Sequence, residues 1–393
     1  MITFEEAMAA VFKHAKPLPA VRTRIEESVG RVLLEEIRSG LDMPPFNKAA
    51  VDGYAVRSAD LAKGRELRCT GVVQAGDKSG KAVRTGECVK VMTGAPVPAG
   101  ADAMVMVECA SEEDGLVKFE EGIMKGANIA RRGEDIKKGQ RILPRGTLIS
   151  ISHIAVLAAV GRARVKTGAL PKVSLVNTGG EIVPPGAKRG KTSIYNSNGP
   201  MLSAMLRRDG VITEPFIVRD DAKKMRAALS EALKADIVLI SGGVSMGDYD
   251  LVPGVLKELG IIKVFHNVRI RPGKPMFFGV KGRKLVLGIP GNPVANFMAY
   301  LAYIRPAILK MSGRRDYAPE FGTGVCAGKF DPRTPRRAMV LSTVAGRTEY
   351  ALGAVSNNGS ADILALARAN GFTMVKEGGS LGKGEKGLFL KWE

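Results

Sequence analysis

Three glycine-rich segments carry the residue types best suited to handling a phosphate or another oxyanion. They are TGGE at 178–181, SGGVSMGDYD at 241–250 and PGNP at 290–293. Glycine brings backbone N–H groups close to an anion, and a helix starting just beyond adds about 0.3–1 kcal/mol of favourable field. The backbone of Gly179, Gly180, Gly242, Gly243 and Gly291 is therefore a candidate cradle, and Thr178, Ser241 and Ser245 add hydroxyl groups. Arg271 and Lys274, in RIRPGKP, are cations nearby in sequence. The same loops also hold Glu181, Asp248 and Asp250, bare carboxylates that would repel such a ligand. Magnesium resolves that conflict, because one or two carboxylates with phosphate oxygens and waters make its usual shell. The plainer alternative is that Asp248 and Asp250 only cap the helix that follows.

The elements around these loops give them a common location. From Pro171 to about Met311 strand-like and helix-like runs alternate: KVSLVN before TGGE, VITEPFIV before DAKKMRAALSEALKA, DIVLI before SGGVSMGDYD and LVPGVLKEL. A helix with Asn198 as its cap, a hairpin PMFFGV–KGRK–LVLGI and an apolar helix after PGNP complete the series. Such alternation predicts a doubly wound, mostly parallel α/β domain, with ligands gathered beyond the carboxyl ends of its strands. Three glycine-rich loops at one sheet edge point to an anionic ligand more strongly than any one of them.

The rest of the chain reads differently. A capping box from Thr3 to Glu6 starts an amphipathic helix to about Lys16, and VRTRIEESVGRVL predicts a second. Residues 42–141 hold short β-type runs between Gly, Pro and Asp turns, a small β-rich insert. Helical signals return at SISHIAVLAAVG, and the last 80 or so residues read as a terminal β barrel. The expected division is 1–41 and 142–169 for a helical or extended linker domain, 42–141 for the insert, 170–313 for the α/β domain and 314–393 for the barrel. In the insert, Asp52, Thr93, Glu134 and Asp135 sit in turns, and each alone is better explained as a turn residue.

Several function classes fall away. GKGEKG at 382–387 fits a dinucleotide fingerprint, but no strand leads in and no helix follows. GAKRGKT at 186–192 misses the phosphate-loop spacing by one residue. Cys69, Cys88, Cys109 and Cys326 form no CxxC pair, which argues against a zinc knot or disulfide framework and for a reducing cytoplasm. His14, His153 and His266 have no metal-ligand spacing, and His153 suits a core or cap role. No run approaches the roughly 20 apolar residues of a membrane span, and the acidic start of MITFEEAMAA is unlike a signal peptide. The net charge is +20, with more than half the surplus in residues 170–313. A polyanionic small substrate or a solvated basic surface accounts for it better than nucleic acid, for which no binding motif is present.

Taken in order, AVDGYAV, MTGAPVPAGAD, RRGEDI, NTGGEI, NSNGPML, SGGVSMGDYD, RPGKP and IPGNPV closely resemble the molybdopterin molybdenumtransferases, the MoeA and gephyrin E-domain family. The resemblance spans essentially the whole chain. It implies the four-part architecture above and an elongated homodimer, with the site shared between the α/β domain of one subunit and the β-rich insert of the other. It implies a reaction of adenylyl-molybdopterin with molybdate, in which Mg(2+) assists, AMP leaves and molybdenum enters the dithiolene. By motif position Glu181 and Asp250 become metal or phosphate carboxylates, joined by Asp221, while Asp52, Thr93 and Asp135 become the cross-subunit group. Arg271 and Lys274 become oxyanion contacts, Pro290 and Pro293 shape their loop, and Gly291 and Asn292 join the substrate-binding residues. Arg271 stands where relatives often carry lysine, and Asn196 where they often carry aspartate. Two alternatives stay open: a molybdopterin adenylyltransferase, which shares the α/β domain and is also a conceivable partner, and a non-catalytic scaffold.

Overall fold

A computed structural model describes residues 1–62, 66–78, 81–244 and 251–392. The chain divides into two compact units, one made of Met1–Arg22, Gly30–Val32 and Lys166–Glu393, the other of Thr23–Val29 and Leu33–Val165.

The first unit is built on six strands: β1 (Val173–Thr178), β2 (Phe216–Val218), β3 (Ile237–Ser241), β4 (Ile262–His266), β5 (Phe277–Lys281) and β6 (Lys284–Ile289). Their spatial order is β2-β1-β3-β6-β5-β4. The first four in that order run parallel, and the β5–β6 hairpin and β4 form an antiparallel edge. Continuous apolar runs such as IVLI suit strands covered on both faces, and every residue of β3 is buried. The chain moves outward from β1 to β2, then crosses back to lay β3 on the other side of β1. Ligands of open α/β sheets bind at such a reversal, so the carboxyl ends of β1 and β3 mark the crevice.

Helices close both faces. The N-terminal helix Phe4–His14 begins with the expected capping box, Glu6 N–H donating to Thr3 Oγ1 at 3.2 Å and Thr3 N–H to Glu6 Oε2 at 2.8 Å. Its Phe4, Ala7 and Val11 join Leu202, Leu206 and Met298 in one core, while Met225, Leu229, Val255 and Leu256 cover the opposite face. The apolar helix after PGNP runs Pro293–Ala299, passes through a π turn over Tyr300–Ile304 and resumes as Arg305–Met311. Pro306 has no N–H for the preceding turn, which accounts for the irregularity. The same unit ends in a five-stranded barrel. Strands Arg337–Ala345, Ala351–Ala354, Gly322–Cys326, Lys386–Lys391 and Gly371–Val375 pair in that order, and the last pairs again with the first. Ile270–Arg271 pairs in parallel with Arg337–Ala338, so the RPGKP loop is fastened to the barrel.

In the second unit the β-rich insert is built on a six-stranded sheet, with Gly53–Val56 and Glu87–Val91 among its inner strands, beside a two-stranded pairing of Lys48–Ala49 with Ile129–Ala130. Tyr54 and Val56 pack into one core and Ala55 into another, the alternation expected of a strand covered on both sides.

Three local expectations need correction. VRTRIEESVGRVL is not a helix: Ala20–Arg24 is extended and Ile25–Glu27 is a single 3-10 turn. Val21, Thr23 and Ile25 alternate, and β-branched residues at every second position favour a strand. VITEPFIV narrows to Phe216–Val218, because Pro215 cannot donate to a ladder. Asn198 is the first residue of its helix rather than the cap; Asn196 Oδ1 accepts from Gly199 N–H at 2.9 Å instead. His153 acts at a cap, its Nδ1 accepting from Ser150 N–H at 3.1 Å. Among the described residues no helix is long and apolar enough to cross a membrane.

Candidate functional site

The three glycine-rich loops come together at the carboxyl ends of β1, β3 and β6. Asn177 of β1 lies opposite Ser241 of β3, and Ser241 lies opposite Ile289 of β6. Gly242 N–H donates to Ile289 O at 3.1 Å. Only glycine fits here: φ is +96° at Gly242 and +61° at Gly243. A Cβ on Gly242 would sit 2.6 Å from Thr178 O, and one on Gly243 would sit 2.7 Å from Thr178 Oγ1.

The glycine amides play a different part from the one their number suggests. Gly179 N–H donates to Val218 O at 3.2 Å, and Gly180 N–H to an Asp220 carboxylate oxygen at 2.9 Å. With Gly242 also engaged, these three close the loops on one another rather than waiting for an anion. Among the described residues the N–H groups of Gly243, Gly291 and Asn292 have no protein acceptor, so they are open to a ligand. Thr178 Oγ1 is buried in the same place without a partner among the described residues.

Carboxylates flank this cradle. Glu181 folds back over Gly179, where an added Cβ would lie 2.6 Å from its Oε2. Asp220, which the sequence did not single out, sits at the cradle through its bond to Gly180. Its neighbour Asp221 caps the helix Ala222–Ala232, accepting from Lys224 N–H at 2.8 Å. The Asp-Asp pair before a helix was the available signal; only the fold tells which member caps. Ser245, Asp248 and Asp250 lie outside the described residues. Among the described residues no group of three or more His, Cys, Asp or Glu side chains forms a metal cluster. His266, given no site role in the sequence, has its Nε2 2.8 Å from Val244 O of the second loop.

Beside the strand ends a cavity of about 730 Å³ opens between the α/β sheet and the barrel. Arg271, Lys274, Pro290 and Asn292 line it, as the sequence groups them, and the barrel adds Lys329 and Arg336. Arg271 donates to Pro332 O at 3.0 Å and Arg336 to Ile270 O at 3.0 Å, so both guanidinium groups are held in place. Lys329 pairs with Asp331 at 3.0 Å. Lys274 O accepts from Val268 and Met276 N–H, both at 2.9 Å, while its ammonium has no partner among the described residues and is left for a ligand. Gly291, between Pro290 and Asn292, joins the cavity to the cradle: an added Cβ there would lie 3.9 Å from Gly242 Cα. Pro293 begins the helix behind that loop.

Asp52, Thr93 and Asp135 are exposed on the second unit. Thr93 donates to Asp52 Oδ1 through its N–H at 2.6 Å and its hydroxyl at 2.9 Å. The backbone bond first, then the hydroxyl, hold the Asp52 carboxyl below the usual range. Asp135 N–H bonds Met43 O at 3.0 Å, leaving the side chain exposed.

Comparison with known proteins gives concordant matches along the chain. Residues 2–161 match the family described as "MoeA N-terminal region (domain I and II)", and residues 174–310 the family "Probable molybdopterin binding domain". A molybdopterin molybdenumtransferase of Staphylococcus aureus (strain Mu50) is 33% identical over 392 residues, 97% of this chain and 93% of the relative. The Staphylococcus epidermidis protein of the same name is 32% identical over 388 residues, 96% and 92%. A crystal structure of the molybdopterin biosynthesis MoeA protein from Pyrococcus horikoshii superimposes with a TM-score of 0.83 at 29% identity, covering 100% of this chain and 99% of that one.

Proposed function

The chain belongs to the molybdopterin molybdenumtransferases, enzymes of molybdenum cofactor biosynthesis, and on that premise we propose a division of labour within its site. Adenylyl-molybdopterin binds at the carboxyl ends of β1, β3 and β6, and molybdate enters the cationic cavity beside them. Water cleaves the phosphoanhydride, so that AMP leaves and a phosphate stays on the pterin, and the dithiolene sulfurs displace oxygen from molybdenum, which departs as water. The observation that carries this reading is the shared loop: Pro290 and Asn292 line the cavity and follow the strand whose end meets Gly242.

The residues then have distinct tasks. Gly243, Gly291 and Asn292 N–H groups hold phosphate oxygens, and Ser241 and Thr178 hydroxyls lie beneath them. Gly179, Gly180 and Gly242 keep the floor thin enough for the phosphates to approach. Arg271, Lys274 and Arg336 hold the oxyanion and offset the charge it brings, an electrostatic contribution prepared before the ligand arrives. Glu181 and Asp220 present oxygen donors of the kind magnesium prefers, one or two carboxylates beside phosphate, with Asp248 and Asp250 as further candidates. When bound there, Mg(2+) would neutralise developing charge on the phosphates.

The proposal extends to assembly. Helix Ile151–Ala159 is apolar, yet Leu157 is its only buried residue and Ile151 is 79% exposed. An uncovered apolar helix fits a homodimer, in which the exposed Asp52, Thr93 and Asp135 of one copy would complete the site of the other. The four-part division at 1–41, 42–141, 142–169, 170–313 and 314–393 belongs to the same proposal, as do a cytoplasmic location, which four free thiols suit, and delivery of substrate by an adenylyltransferase. The adenylyltransferase and scaffold alternatives are not favoured, since full-length relatives carry the molybdenumtransferase name.

The test is incubation with adenylyl-molybdopterin, molybdate and magnesium. AMP release that depends on molybdate and yields active cofactor is expected. Absence of AMP release, or release unaffected by removing both Arg271 and Lys274 side chains, would overturn the assignment.

A further inference from the structure

The buried asparagines at the strand ends have no place yet in this mechanism. Asn198 is 9% exposed and gives both amide hydrogens away, one to Ser241 Oγ at 3.2 Å and one to Gly291 O at 2.6 Å. Gly291 O can only accept, so the amide nitrogen must face it and the orientation of the group is fixed. Its Oδ1 is buried without a partner among the described residues, so these two bonds alone locate the side chain. One ends on the cradle loop and the other on the loop shared with the cavity. Beyond Gly291 the linkage continues. Asn296 donates to Pro290 O and, at 3.1 Å, to Asn292 O. Asn292 donates to Ser360 Oγ at 2.7 Å, and Ser360 O accepts from Val294 N–H at 3.2 Å. Ser360 lies on the barrel wall of the cavity. A connected set of amides therefore runs from Ser241 at the phosphate cradle to the far side of the oxyanion cavity.

We propose that Asn198 is a positioning residue that couples the two subsites, so that filling the cradle organises the cavity and raises its affinity for the oxyanion. This rests on the assignment of the two subsites above. A planar carboxamide with two hydrogens fixes the spacing of the loops it joins. Ordering either loop by a ligand settles the other, and by thermodynamic reciprocity each ligand strengthens the other by the same factor. The pairing serves the chemistry, since molybdate held without the nucleotide half of the substrate has nothing to react with.

The probes are AMP with magnesium and sodium molybdate, titrated calorimetrically into the full-length protein. Molybdate should bind at least about fivefold more tightly when AMP is saturating, within the usual range of coupling between sites. Asn198→Asp, which places an acceptor against Gly291 O, and Asn198→Ala should each bring that ratio close to one. Each ligand alone should bind Asn198→Ala about as it binds the wild type, a pattern that general loss of structure would not give. Independent or mutually weakening binding in the wild type overturns the coupling, and so does a ratio unchanged in both variants. Failure of both ligands to bind the wild type overturns the subsite assignment, and this inference with it.

Discussion

Gly242→Ala tests whether the meeting of the loops depends on a missing side chain. The backbone there has φ +96°, which L-residues rarely adopt, and the new Cβ would lie 2.6 Å from Thr178 O and 3.1 Å from Thr178 Oγ1. The oxygen at 2.6 Å belongs to the backbone of β1, which is paired on both sides and cannot retreat without moving the sheet. Backbone strain of about 1–3 kcal/mol and overpacking of about 1–3 kcal/mol, partly relieved by a shift of the loop, leave roughly 3 kcal/mol of destabilisation. At roughly 2–4 °C per kcal/mol for a unit of this size, the melting temperature should fall by about 6–12 °C. Gly291→Ala is the matched control, because its Cβ would meet nothing closer than Gly242 Cα at 3.9 Å, an ordinary contact. Thermal unfolding of both variants, followed by circular dichroism, reads the difference directly, and AMP release reports whether the cradle survives. If Gly242→Ala melts with Gly291→Ala and releases AMP at the wild-type rate, the close approach is not a constraint and the reasoning fails.

Other expectations follow from the same geometry. Asp221→Ala should cost about 1 kcal/mol through the lost cap and leave AMP release nearly intact; Asp220→Ala should melt near the wild type but release AMP more slowly and need more magnesium. A thermal-shift series beside the AMP assay separates the two, and identical behaviour would count against the assignment of Asp220. Arg271→Ala and Lys274→Ala should each weaken molybdate binding by about tenfold or more, as loss of a charge-assisted bond of about 1.5–3 kcal/mol requires, with calorimetry as the check. Ile151→Asp should shift the sedimentation of the protein toward the monomer, since a carboxylate would enter the apolar helix face; an unchanged assembly would exclude that face as the interface. Thr93→Val removes the hydroxyl that helps hold the Asp52 carboxyl low, so the Asp52 titration followed by NMR should move up toward the ordinary carboxylate value. The sign is set by linkage: in the wild type the Asp52 contribution is present above the unfolded pKa and lost as pH falls through the lower folded one. Melting of Thr93→Val and wild type should therefore differ at neutral pH and converge in acid.

The sequence carries the α/β domain clearly because the signals that define it are local. Strand β3 is a run of β-branched and aliphatic residues, its loop is glycine-rich, and both facts sit within a few positions of one another. The placement of TGGE, SGGV and PGNP at strand ends follows from that alternation alone. The second helix fails for an equally local reason, since Val21, Thr23 and Ile25 repeat every two residues while the charged residues between them imitate a helical face.

What is not legible depends on partners far along the chain. Glycine content suggests free amides, yet Gly180 N–H is taken by Asp220, forty residues on, and Gly242 N–H by Ile289. Asn198 looks like a helix cap until Ser241 and Gly291 arrive from 43 and 93 residues away to claim its amide. The regional charge count misleads in the same way. The surplus in residues 170–313 points to the α/β domain as the anion binder, but that domain supplies Arg271 and Lys274 to the cavity while the barrel supplies Lys329 and Arg336. What makes the cavity attractive to an oxyanion is the convergence of cations from the α/β sheet and the barrel on one volume. Net charge summed along a segment has no access to that convergence, because Coulomb energy depends on distance in space.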